Sequence, residues 1–170
     1  MPKLAILLLI STDLLGQPAD QWKDLRFLIG EWSGAGGGAA TGQGMGTYTF
    51  LSELDGKVLV RRSSADYPAA NGRPAIHHVD VMTVYFESEG KAPEAIYFDN
   101  EGHVIHYAVE TDAAGKVARF VSPEQAGQPR FRLTYRETAP GVVAGQFEVA
   151  PPGKPAAFTG YQEWSAQRKK

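Results

Sequence analysis

The chain has 170 residues, 43 % hydrophobic and 21 % charged, with a formal net charge of −2. That length suits one domain around one core, and the charge offers no bulk attraction to a phosphate backbone, so nucleic acid is not an expected partner. There is no cysteine, which excludes disulfides, thiol catalysis, Cys-based zinc sites and iron–sulfur clusters.

Met1-Pro2-Lys3 is followed by seven apolar residues, Leu4 to Ile10, the order of charge and apolar run found in a secretory signal. Ser11, Thr12 and Asp13 interrupt the run, and a bilayer span needs about 20 apolar residues, so no membrane span is expected here. The reading is a leader over 1–18, cleaved near Gly16 or Ala19, a periplasmic or secreted product and a single domain over 19–170. From Pro18 to Leu25, with Asp20 as N-cap and Trp22 and Leu25 at helical spacing, one or two helical turns are predicted.

From there the patterning is β. Ten strands are predicted: Glu31 to Gly36, Gly44 to Leu51, Lys57 to Ser64, His77 to Phe86, Glu94 to Asp99, His103 to Thr111, Lys116 to Ser122, Arg130 to Glu137, Val142 to Val149 and Phe158 to Ala166. In the first, glycines flank Trp32, where a large ring can plug a barrel end. Arg61-Arg62 place one guanidinium on each strand face; an inward one, with an inward Tyr135, could hold a carboxylate, and Arg62 is the one taken as the site residue. The alternative is an ion pair with Glu53, Asp66 or Asp80.

Asp66 to Ile76 and Ala150 to Ala157 are the long, proline-bearing connections, suited to a mouth or to ordinary surface loops. The others are hairpin-length, among them Asp99-Asn100-Glu101-Gly102 and Ala139-Pro140-Gly141. Phe131, Leu133 and Tyr135 alternate with Arg130, Arg132 and Arg136, as do Val143, Phe147 and Val149 with Gln146 and Glu148, which gives each strand one apolar face. Ten strands in simple sequence order predict an all-β fold: a closed up-and-down antiparallel barrel, lipocalin- or fatty-acid-binding-protein-like, its short N-terminal helix over one end.

All four histidines, His77, His78, His103 and His106, lie within thirty residues. On a strand, residues two apart share a face, so His78 and Asp80 point together, while His103 and His106 point apart. They could hydrogen-bond within the barrel, serve a ligand, provide an axial haem ligand, or join Asp80 in a metal site; no metal ligand set is assigned. Trp32, Trp164, Tyr97, Tyr107 and Phe147 supply aromatic lining or core. The chain has no G-x-S-x-G elbow, Walker A loop or H-E-x-x-H helix, and no catalytic residue is assigned; Asp80, Asp99 and Glu110 are the carboxylates that could serve a histidine.

Gly30-Glu31-Trp32-Ser33-Gly34-Ala35-Gly36, preceded by Leu25-Arg26-Phe27-Leu28-Ile29, fits G-x-W-x-G-x-G and resembles the start of nitrobindin-type barrels; its G-x-W core is similar to that of lipocalins. In strand count and order, from Leu25 to Trp164, the chain is also similar to the bacterial domains of uncharacterised function called DUF1579. The nitrobindin resemblance implies haem in the barrel, bound by a histidine on a C-terminal strand with a second near an earlier one. His77 or His78 stands where the earlier one is expected, and no histidine follows His106.

These readings lead to a barrel that binds a small apolar or amphipathic molecule, with Trp32, Arg62, His78, Tyr97, His103, His106, Tyr107 and Tyr135 as ligand-binding residues. The alternative is a haem-binding or small enzyme barrel using the histidine cluster.

Overall fold

The computed structural model describes residues 20–170 with the exception of 71, 89 and 113–115; the leader expected over 1–18 lies outside the described residues. A 3-10 helix, Lys23–Leu28, precedes β1 (Gly30–Gly38), β2 (Gly42–Glu53), β3 (Val58–Tyr67), β4 (Ile76–Tyr85), β5 (Glu94–Asp99), β6 (Val104–Thr111), β7 (Val117–Val121), β8 (Arg130–Ala139), β9 (Val142–Ala150) and β10 (Thr159–Arg168). Each strand pairs antiparallel with its sequence neighbours, and β1 pairs with β10, with Trp32 opposite Arg168, to close a ten-stranded barrel. Closure leaves no sheet edge unpaired, which suits strands joined by short hairpins.

The helix begins later than Pro18–Leu25 and is 3-10 rather than α. The N-cap is Trp22, with no side-chain cap, rather than Asp20, whose Oδ1 accepts the Trp22 N–H at 3.0 Å in the turn just before the helix. Continuing the turn to Leu28 brings Trp22, Leu25 and Leu28 under the barrel, all nearly or wholly buried. The Trp22 indole donates to the Gly56 carbonyl at 2.8 Å and packs on Phe86.

That end is the hydrophobic core. Trp32, Phe50, Leu59, Met82, Val84, Ala118, Phe120, Tyr135 and Val143 fill it as inward members of their strands. The Trp32 indole donates to the Leu28 carbonyl at 2.8 Å, and the Arg168 guanidinium lies 4.4 Å over its ring, a cation–π contact that ties the last strand to the first. Gly30, with φ of +133°, sits where a Cβ would run into the Arg168 guanidinium, so the glycine two residues before Trp32 makes room for the clamp.

At the other end the barrel is open. The β1–β2, β3–β4, β5–β6, β7–β8 and β9–β10 connections all lie there, because strands alternate in direction. The two long proline-bearing connections are therefore both at the mouth.

Candidate functional site

The mouth leads into a cavity of about 410 Å³ whose walls differ in character. On one side β1, β2, β8, β9 and β10 contribute Gly34, Gly36, Gly44 and Gly46 and the side chains of Phe131, Leu133, Phe147, Val149 and Trp164. The Phe131 and Phe147 rings stack with centroids 5.9 Å apart. Trp164 lies flat across Gly145, its indole occupying the space a Cβ there would need.

On the other side β3 to β6 and the β5–β6 turn carry a polar stripe. The alternation that points Leu59 into the core points Arg61 and Ser63 into the barrel, and the same rule carries Met82 to Asp80 and His78, and Ala95 to Tyr97 and Asp99. Register sets Asp80 opposite both Ser63 and Asp99. Deepest is Arg61, whose Nη1 donates to Asp80 Oδ1; the two side chains are 8 % and 4 % exposed.

Above them His78 bridges. Its Nε2 is 3.0 Å from Tyr97 Oη and 3.5 Å from Asp80 Oδ2, and its Nδ1 is 3.0 Å from Glu101 Oε1. Tyr97 donates onward to Asp99 Oδ2 at 3.3 Å. The other Asp99 oxygen closes the turn by accepting the Glu101 and His103 amides at 3.0 and 2.9 Å, and His103 Nδ1 stands 2.8 Å from Asp99 Oδ2 at the rim.

Protonation follows from this wiring. The Asp80 hydrogen bond, chiefly, and Glu101 raise the His78 pKa against desolvation, because the imidazolium can donate from both nitrogens. Burial alone would raise the Asp99 carboxyl, but the bonds from His103 and Glu101 outweigh it and hold the group below the usual range. Arg61 is fully desolvated, yet Asp80 keeps it charged. Burial pushes the Tyr48 hydroxyl up to about 12 and raises Tyr97, Tyr107 and Tyr135 further.

Beneath this stripe, Tyr48 Oη, Arg61 Nε and Tyr135 Oη are buried without a hydrogen-bond partner.

The expected site residues separate into three groups. His78, Tyr97, His103 and Tyr107 line the cavity together. Trp32 and Tyr135 are inward but lie below it, fully buried in the plug, with Tyr135 edge-on to Phe50 and Phe120.

Arg62, His77 and His106 are on the outside. Arg62 pairs with Glu53 at 2.5 Å, His77 with Asp66 at 2.7 Å, and His106 is exposed. Arg62 is thus corrected to Arg61, and the carboxylate-holding guanidinium is instead half of an ion pair. Asp80 and Asp99 were expected as carboxylates that could serve a histidine, and Arg61 as one of two arginines of which one points inward, none of them as ligand-binding residues; Glu101 was not expected, and Tyr97 and Asp99, two apart in one strand, carry a period-2 signal that leads to the turn.

The residues present do not fit haem in the nitrobindin manner. Both ring nitrogens of His78 are engaged by Tyr97 and Asp80 and by Glu101, and the cavity walls of β8, β9 and β10 carry no histidine. Among the described residues no three His, Asp or Glu side chains are arranged to hold a metal ion, and no helix is long and apolar enough to cross a membrane.

The barrel is similar to a solved structure described as "Crystal Structure of Rv2717c from M. tuberculosis", with a TM-score of 0.60 at 12 % identity over 88 % of this chain and 97 % of that one. At that identity the likeness shows the fold alone. No family model and no curated protein matches the chain, so nitrobindin and DUF1579 remain resemblances and the closed barrel is what is shown.

Proposed function

We propose that the protein binds a small amphipathic molecule in its cavity. The observation that carries this reading is the two-sided lining: an aromatic and glycine wall for an apolar body faces a hydrogen-bonded polar stripe that orients a polar end. A cavity of this size with few convergent polar groups is what small-ligand sites provide, and the plugged far end leaves one entrance. Binding releases water from the Phe131, Phe147 and Trp164 faces, and His78, Tyr97 and Asp99 give the ligand its direction. The Leu4 to Ile10 run supports placing this activity in the periplasm or outside the cell.

The test uses Ala65, a small inward residue on β3 that lines the cavity opposite His78. The uncharged fluorophore 1-aminoanthracene gains fluorescence with the native protein, and Ala65→Trp, which fills the cavity, weakens its binding at least about tenfold with the fold retained. Equal binding by the variant contradicts the proposal.

A further inference from the structure

Every ionisable residue with a strong charge on the cavity lining belongs to the polar stripe: Arg61, Asp80, Asp99 and Glu101, with His78 and His103 between them. Three carboxylates face one guanidinium. With both imidazoles neutral the wall is net negative, and with both protonated it is balanced; in neither condition is it positive. The guanidinium is spent on Asp80, at the bottom of the stripe.

Nor do cations near the mouth redress this: Lys154, in the β9–β10 connection, is exposed and does not line the cavity. Arg73 donates to the Ala39 and Ala40 carbonyls, and Arg130 to the carbonyls of Ser122 at 2.8 Å and Pro155 at 3.3 Å; neither lines the cavity. An anionic head group therefore meets carboxylates in a confined, poorly screened space. A cationic one meets an attractive wall, while its aromatic or apolar body lies against Phe131, Phe147 and Trp164 on the facing side. At the floor the Tyr48 hydroxyl, on a side chain over nine-tenths buried, has no partner and is free to accept.

Resting on the reading of the cavity as a binding site, we infer that it selects an organic cation, an amine on an aromatic or apolar body, over a carboxylate or alcohol of the same shape. The ammonium takes the place of the His103 imidazole on Asp99. The His103 side chain is 58 % exposed and free to swing out, whereas that of Asp99 is 4 % exposed and held by two backbone amides.

Isothermal titration calorimetry of the full chain at pH 7 with 2-(1-naphthyl)ethylamine, 2-(1-naphthyl)ethanol and 1-naphthylacetate tests this, because the three share one ring system and differ in the head. The amine binds most tightly, and Asp99→Asn, which keeps an oxygen for the two backbone amides, weakens the amine about tenfold, the scale of a lost charge-assisted hydrogen bond, and weakens the uncharged alcohol by a clearly smaller factor. Glu101→Gln, at the exposed rim, weakens the amine in the same direction with no risk to the fold. Carboxylate or alcohol binding as tight as the amine overturns the cation preference and leaves the cavity reading standing. Failure of all three to bind removes both.

Discussion

Arg61 and Asp80 meet as an ion pair inside the barrel, their side chains 8 % and 4 % exposed, at the level where the hydrophobic plug gives way to the cavity. A pair this deep costs desolvation on both sides, and removing one partner leaves the other charge buried alone.

Asp80→Asn therefore destabilises the fold by about 3 kcal/mol or more in urea unfolding, the cost of an uncompensated buried charge. Joint replacement, Arg61→Met with Asp80→Leu, recovers most of that loss. A single variant as stable as the native chain contradicts the account of this pair.

Trp164 and Gly145 give a packing prediction. With the indole lying where a Cβ at 145 would be, Gly145→Ala forces the ring off the cavity wall. Overpacking of this kind costs about 1–3 kcal/mol, and the Trp164 fluorescence shifts to the red as the ring meets water. Unchanged stability and emission would show that the ring does not depend on the glycine.

The polar stripe predicts opposite pH dependences from two of its members. His78 has its folded pKa raised above the ordinary 6.5, so its contribution to stability is full below about pH 6.5 and is lost as pH rises through the folded value. Asp99 has its folded pKa depressed below 3.8, so its contribution is present above about pH 3.8 and is lost as pH falls through the folded value. Melting temperatures from pH 3 to 9 show both limbs; His78→Asn flattens the alkaline one and Asp99→Asn the acid one. A native melting temperature independent of pH between 6 and 8 contradicts the His78 assignment.

Strand number, order and closure were legible because the turns announce themselves: Asp99-Asn100-Glu101-Gly102 and Ala139-Pro140-Gly141 fall where β5–β6 and β8–β9 turn. Inward direction was legible wherever polar and apolar residues alternate, as in β8, or where two chemical residues stand two apart, as with His78 and Asp80. It failed at Arg61-Arg62 for a physical reason. The preceding Leu59 and Val60 are both buried, one inward and one on the outer face, so no alternation chooses between the arginines.

Depth along the barrel was legible only at Trp32, whose ring between glycines was expected to plug one end and does so. Tyr135 faces inward as expected, but only its packing on Phe50 and Phe120 shows that it belongs to the plug. The polar stripe is likewise a product of register, which sets Asp80 beside Asp99 across β4 and β5.

Occupancy of the cavity is measured most directly by native mass spectrometry of the protein taken from its own host, compared with its mass under denaturing conditions. A ligand-binding cavity gives a small-molecule mass, present on the native protein and lost on denaturation, that Ala65→Trp abolishes. A native mass equal to the denatured one, together with no uptake of any of the naphthyl probes, would contradict it.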